Sequence, residues 1–245
     1  MIIPFSFLYP VQPNISSNNT SSIVTSGLVF NLQTAPNSGT TWIDATSNGY
    51  DATLQGSPTY VSNNGGGIKL NNASYTGNDY ISVPYNINSN TVTVEIVASF
   101  NPTSHWATVW GNEVYSGGRG YFAFMGSATG INYGRPGLAS NEAVTPSNSI
   151  RHWTFVINNT AHSLYLNSTQ VGTTDTITAQ TLFTTNNFYF GSRHSNAGTG
   201  HTDKMNNSGS AFQPVFYQMR LYNRALSALE ITQNYNAIKT TYGLP

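Results

Sequence analysis

The stretch from Arg220 to Ile231, RLYNRALSALEI, constrains this chain more than any other, because it joins the end of a strand to a fully specified helix start. Ser227 followed by Glu230 is a capping box: the serine hydroxyl accepts the N–H of the third helical residue, and the glutamate reaches back to the serine's own N–H. Leu226 and Ile231 occupy the two positions of a hydrophobic staple, which sets the angle at which the chain enters the helix. Ala228, Ile231, Tyr235, Ile238 and Tyr242 then recur at spacings of three and four, which predicts a helix from Ser227 to Tyr242 with one face packed on the body and Gly243 as its stop.

Upstream the period is two. Strands are predicted at Leu28 to Gln33, Ile68 to Asn71, Tyr80 to Val83, Thr91 to Phe100, Ala107 to Trp110, Tyr121 to Gly126, Arg151 to Asn158, Ser163 to Asn167, Phe188 to Gly191 and Val215 to Tyr222, with turn signals between them. In Thr91 to Phe100 the apolar Val92, Val94, Ile96, Ala98 and Phe100 share one face, while Thr91, Thr93, Glu95, Val97 and Ser99 share the other. Glu95 is therefore expected to point away from the inter-sheet core, into a concave groove or onto the outer surface. Short strands with a single good helix at the end predict an all-β fold, a two-sheet antiparallel jelly-roll sandwich with the helix at one end or edge. A chain of 245 residues suits one such domain, expected over residues 26–245 behind an extended N-terminal arm, residues 1–25.

Charge narrows the partners. Only 7% of residues are Asp, Glu, Lys or Arg, and nine basic residues balance nine acidic ones, so the surface is polar but almost uncharged. No basic stripe exists for nucleic acid to read, whereas a surface of amides and hydroxyls suits sugars or a large protein assembly. The absence of cysteine removes disulfides, thiolate catalysis and thiolate zinc sites together. The opening MIIPFSFLYPVQP is apolar, yet it has no basic n-region, is broken by Pro4, Pro10 and Pro13, and falls short of the roughly 20 apolar residues that cross a bilayer. Neither a signal peptide nor a membrane anchor is expected.

RLYNRALSALEI resembles the closing signature of concanavalin A-like lectin/glucanase domains, in the laminin-G-like branch found in bacterial surface proteins and in phage and virus structural proteins. Three further blocks follow the order of that family: Ser26 to Tyr60, Asn78 to Phe100, and Arg151 to Gly172 with Phe188 to Arg193 behind it. The resemblance spans Ser26 to Leu244 and implies the sandwich. It leaves function open, since this fold hosts lectins, hydrolases and structural modules alike.

The resemblance implies where catalysis would sit. Glucanases of this fold place Glu-x-Asp-x-(x-)Glu on one strand, because a nucleophile and an acid must flank one glycosidic bond at about 5 Å. The matching positions are Glu95, Val97 and Ser99, so a single carboxylate stands where a pair is needed and no enzyme activity is expected. Nor is a metal or other cofactor. Laminin-G-type modules often hold calcium on the rim, but the acidic pair that often precedes the final Arg-x-Tyr is replaced by Tyr217 and Gln218. Asp44 with Asn48 reads as an Asx-capped hairpin turn, and His194, His201 and Asp203 as polar residues of a Gly-rich loop.

The binding candidates are aromatics and arginines in a Gly-rich middle segment: His105, Trp106, Tyr115, Arg119, Tyr121, Tyr133 and Arg135. Flexible loops can bring such flat rings to a sugar's apolar face. Trp110, Phe122 and Phe124 are expected in the core. The arm carries Ile2, Ile3, Phe5, Phe7, Leu8, Tyr9 and Val11, an apolar run expected to dock on a partner. The reading is a non-catalytic virion structural protein, a capsid decoration or fibre-like component at the virion surface. Its expected partners are other virion proteins or a homo-oligomer through the arm, and host glycans. The alternative is a secreted or cell-surface carbohydrate-binding protein or degenerate glycoside hydrolase, which would be extracellular.

Overall fold

The computed structural model describes residues 22–72, 79–100, 107–112, 122–126, 130–135, 138–144, 147–176, 187–192 and 213–245. In chain order the first strands are β1 (Leu28–Leu32), β2 (Thr41–Trp42), β3 (Ala52–Gln55), β4 (Thr59–Val61), β5 (Gly67–Lys69), β6 (Tyr80–Val83), β7 (Thr91–Phe100) and β8 (Ala107–Gly111). They are followed by β9 (Phe122–Gly126), β10 (Gly130–Arg135), β11 (Leu138–Glu142), β12 (Ser147–Asn158), β13 (Ala161–Leu166), β14 (Thr169–Thr176), β15 (Phe188–Phe190), β16 (Val215–Tyr222) and one helix, α1 (Ala228–Tyr242).

Two antiparallel sheets face one another. One has the order β14-β13-β12-β7-β16-β5-β4, with β1 also paired to β16; the other has the order β11-β10-β9-β8-β15-β6-β3-β2. The jelly-roll sandwich expected from the sequence is the observed architecture. β7 keeps the expected parity: Val92, Val94, Ile96, Ala98 and Phe100 all lie in the inter-sheet core, with Trp153, Phe155 and Ile157 of β12 beside them. Aromatic rings lock the layer from the opposite sheet. Trp110 stacks on Phe188 with centroids 5.5 Å apart and planes at 18°, and meets Phe155 edge-on. Trp110 is thus the core residue the sequence predicts, whereas the side chains of Phe122 and Phe124 lie outside the described residues.

The helix is capped as predicted but placed differently. Glu230 N donates to Ser227 Oγ at 3.3 Å and Ser227 N donates to Glu230 Oε2 at 2.9 Å, while Gly243 closes the helix in the left-handed region with φ 62°. Instead of sitting at an end or edge, α1 lies across the outer face of the β7-bearing sheet. Two apolar clusters hold it: Val97 and Tyr217 pack with Tyr235, Ile238 and Tyr242, and Val156 and Tyr222 pack with the staple pair Leu226 and Ile231. The expected contact face is modified at two positions, because Ala228 is exposed and Asn234 is buried in its stead. The cause is that the β7, β12 and β16 residues facing outward are not all apolar. A layer that contains Glu95, His152 and Arg220 needs a polar residue on the helix to meet it.

Candidate functional site

Glu95 is the residue on which a hydrolytic reading depends, and the structure buries it. It does point away from the inter-sheet core, but α1 covers that face, so neither a concave groove nor the outer surface receives it. Its side chain is 2% exposed. On β16 its cross-strand neighbour is Arg220, whose Nη1 donates to Glu95 Oε2 at 3.0 Å. From the helix, Asn234 Nδ2 donates to the same oxygen at 2.9 Å and also to the Tyr222 hydroxyl at 3.0 Å. His152 Nε2 stands 3.4 Å from Glu95 Oε1, and its ring stacks on Tyr235 of α1 with planes at 25°. The register explains the cluster: β12, β7 and β16 lie side by side, and alternate residues on each turn the same way.

The electrostatics are those of a structural clamp. Burial alone pushes the Glu95 carboxyl up, but the His152 ring, the Arg220 guanidinium and the Asn234 amide outweigh it and hold the group below its usual value. Arg220 in turn reaches Asn31 Oδ1 through Nε at 3.2 Å, where Gln218 Nε2 also donates at 3.2 Å. A carboxylate fixed by a guanidinium and an amide beneath a helix, and 2% exposed, is not presented to a substrate. His152, Arg220 and Asn234 were not singled out from the sequence. The alternation of β12 and β16, with Trp153/Phe155/Ile157 and Met219/Leu221 on one side, is the signal that assigns the first two to the helix side.

Asp44 behaves as the expected Asx turn. Its Oδ1 accepts from Asn31 N and Thr46 N, and its Oδ2 from Thr46 Oγ1 and Tyr50 N, so all its acceptor directions are taken by the chain itself. Asn48 donates instead to the carbonyls of Leu28 and Val29. Tyr217 and Gln218, at the positions where the family often has acids, are buried beside α1 and against Asn31. Among the described residues no group of three or more His, Cys, Asp or Glu side chains could hold a metal ion.

An open groove of about 660 Å³ lies on the flank of the helix-bearing sheet. Asn64 of the β4–β5 turn and Ser149, Ile150 and Arg151 of β12 form one side; Leu166 and Asn167 at the β13–β14 turn and Gly243 and Pro245 beyond α1 form the rest. Two-residue chemistry shapes its rim. Asn167 and Ser168 both have positive φ, 48° and 64°, which matches the twist of the β13–β14 hairpin. Asn167 is also tied to β12, its Oδ1 accepting His152 N at 2.9 Å and its N donating to the His152 carbonyl at 2.8 Å.

Of the binding candidates, the structure places one. Tyr133 is fully buried in the inter-sheet core, its ring 5.5 Å from that of Phe155 and 6.1 Å from that of His162, so it is withdrawn from the surface group in which the sequence put it. Its parity on β10 turns it to the core together with Ile131. His105, Trp106, Tyr115, Arg119 and Tyr121 lie outside the described residues, as do the Arg135 side chain, the arm residues Ile2 to Val11, and His194, His201 and Asp203.

The model of the concanavalin A-like lectin/glucanases superfamily matches residues 62–232. Comparison with curated protein sequences finds no match. Among solved structures, the binding domain of Paraclostridial Mosquitocidal Protein 1 superposes with a TM-score of 0.68 at 16% identity, over 89% of this chain and 55% of that one. A structure of botulinum neurotoxin type C, whose cell entry is described as dependent on interaction with two ganglioside molecules, gives 0.66 at 12% identity, over 86% of this chain and 51% of that one. Trypanosoma rangeli sialidase in complex with the inhibitor DANA gives 0.59 at 15% identity, over 87% and 33%. The chain spans about half the length of the two toxin chains. At these identities the likeness is one of fold.

Proposed function

The chain belongs to the concanavalin A-like lectin/glucanase superfamily, and from that membership we propose that it is a non-catalytic, lectin-like module that binds glycans. The observation that carries the reading is the state of Glu95, the one carboxylate on the strand where glucanases of this fold keep their pair. It is neutralised by Arg220 and roofed by α1. The toxin binding domains that share the fold support a binding role, and the groove beside α1 offers it a concave polar surface. A glycan array probed with the intact protein tests the reading; binding to no immobilised glycan counts against it. Turnover of β-glucans or galactans that disappears in Glu95→Gln would overturn the non-enzymatic part.

The site of display is a virion surface, as a capsid decoration or fibre-like component, with the arm residues Ile2, Ile3, Phe5, Phe7, Leu8, Tyr9 and Val11 docking on other virion proteins or on a second copy. The nearly uncharged surface and the apolar arm support this. Deleting residues 1–13 tests the arm: a protein that stays folded but no longer assembles supports docking, and unchanged assembly removes it. The toxin domains and the sialidase favour a second reading, a secreted or cell-surface carbohydrate-binding protein or degenerate glycoside hydrolase.

A further inference from the structure

We infer that α1 is an acid-released strap: when the carboxylates that anchor it are neutralised, the helix leaves the outer face of its sheet while the two-sheet sandwich stays folded. Two of its polar anchors run through carboxylates. At the first turn Glu230 accepts from Arg224 Nη1 at 3.0 Å, from Arg224 Nη2 at 2.6 Å and from Ser227 N at 2.9 Å. At the middle the fully buried Asn234 donates through Nδ2 to Glu95 Oε2 at 2.9 Å and to the Tyr222 hydroxyl at 3.0 Å, while its Oδ1 accepts Val24 N at 2.7 Å. The ionisable groups that face Glu95 among the described residues are Arg220 and Tyr222 from β16 and His152 from β12. From α1, Tyr235 lies against the His152 ring, and Lys239 Nζ stands 5.9 Å from the centre of the Tyr235 ring. Burial keeps the Tyr222 hydroxyl neutral, so Glu95 is the one negative charge in this layer and Arg220 and His152 are the bases it faces.

Protonation of Glu95 removes the counter-ion of Arg220, and protonation of His152 adds a second cation to the same dry layer. A buried cation without a counter-ion needs water, and α1 is the cover that keeps water out. Protonation of Glu230 loosens the grip of Arg224 and the capping box together. What then holds the helix is mainly two separate apolar clusters, one towards each of its ends. The sandwich is held differently. Its inter-sheet cluster contains neither carboxylate nor arginine. Glu142, on the edge strand β11 of the opposite sheet, even responds with the other sign, because burial and the nearby Asp175 push its carboxyl up and acid relieves it. For the helix the sign is clear: Glu95 despite its burial lies below its usual value, and Glu230 is lowered from 4.5 to about 2, so both anchors are complete above the ordinary glutamate range and fail as pH falls through it. Apolar side chains in place of a buried ion pair often hold a fold at least as well, and the best-attested use of such a pair is registry or switching.

The test is hydrogen–deuterium exchange of the intact protein at a series of pH values, read as protection factors so that the pH dependence of the chemical step is divided out. The amides of α1 are expected to begin losing protection at a higher pH than those of β7 and β12, with a lead of about tenfold or more, the factor that corresponds to a shift of one pKa unit. Glu95→Gln removes the charge and keeps the size of the side chain, and it is expected to give the same selective loss at neutral pH. His152→Phe keeps a flat ring against Tyr235 but takes no proton, so it is expected to move the onset of release to lower pH. A cluster that is merely structural would lower the protection of α1, β7 and β12 together. The inference falls if the three elements lose protection in one step, if α1 outlasts the strands, if Glu95→Gln leaves α1 as protected at neutral pH as in the parent, or if His152→Phe leaves the onset where it was. Should Glu95→Gln fail to fold, the pH series of the parent and of His152→Phe decides.

Discussion

Replacing Arg220 by Met would leave Glu95 beneath the helix with its guanidinium gone, and a buried carboxylate that loses its partner destabilises a domain by about 3–5 kcal/mol. The double variant Glu95→Gln, Arg220→Met is expected to recover much of that loss, since what remains is then uncharged. Urea denaturation of the two singles and the double measures the coupling, and additive losses would show that the pair acts as two independent groups. Acid acts on the same residue. A carboxyl held below its usual value in the folded state stabilises the fold above the ordinary glutamate range, and that contribution is lost as pH falls through the folded value. Glu230 behaves likewise for a visible reason: Arg224 grips it through Nη1 at 3.0 Å and Nη2 at 2.6 Å, and Ser227 N bonds it too, which lowers its carboxyl from 4.5 to about 2. Stability is therefore expected to decline between about pH 4.5 and 2, and Glu230→Gln should flatten part of that decline in an acid titration of the unfolding midpoint. The capping box was fully legible in the sequence because its partners are three residues apart. The grip of Arg224 was not, because it needs the turn between β16 and α1 to close first.

At the level of elements, Gly67 shows how closely β5 approaches the last strand. A Cβ there would lie 2.9 Å from the Phe216 carbonyl oxygen and 2.9 Å from Tyr217 Cδ1, with backbone on one side that cannot swing away. Gly67→Ala is expected to cost about 1–3 kcal/mol of overpacking, seen as a lower melting temperature. At the helix start, Ser227→Ala should cost about 1 kcal/mol through the lost cap; an unchanged midpoint would contradict the observed geometry. The ten strands that alternation predicts all occur. Those missed are β2, β3, β4, β10, β11 and β14: β2, β3 and β4 are only two to four residues long, too short for alternation to stand out, and the Ile131/Tyr133 alternation of β10 is set among glycines that read as a loop. β14 is the clearest case: Thr169–Thr176 is an edge strand, mostly exposed on both faces, so its residues are chosen for solvent and carry no periodic mark. Helix placement escaped for a related reason. An outward face bearing Thr93, Glu95 and Val97 reads as surface until Arg220, His152 and Asn234 are brought against it.

For the whole molecule, three layers replace the two expected, and the third decides the chemistry. The groove could not be read from the sequence, because Asn64, Arg151, Asn167 and Pro245 come from four separate segments that only the completed fold assembles. Tyr133 was misjudged in the opposite sense: a Gly-rich neighbourhood suggested a loop, while the residue sits in register on β10 and faces inward.

The position of β16 has a consequence for how the chain comes to be folded. It fills the slot between β7 on one side and β1 and β5 on the other, so the middle of this sheet is filled by the last of the sheet's own strands to be synthesised. Leu28 must wait for Tyr222, and Val24 for Asn234. Until then two of the sheet's inner edges have no partner, and such long-range closure makes for slow folding. A nascent chain arrested before Val215 is expected to show no cooperative protection from protease, whereas one released through Leu244 should acquire it in a single step as β16 slides home and the helix folds over it.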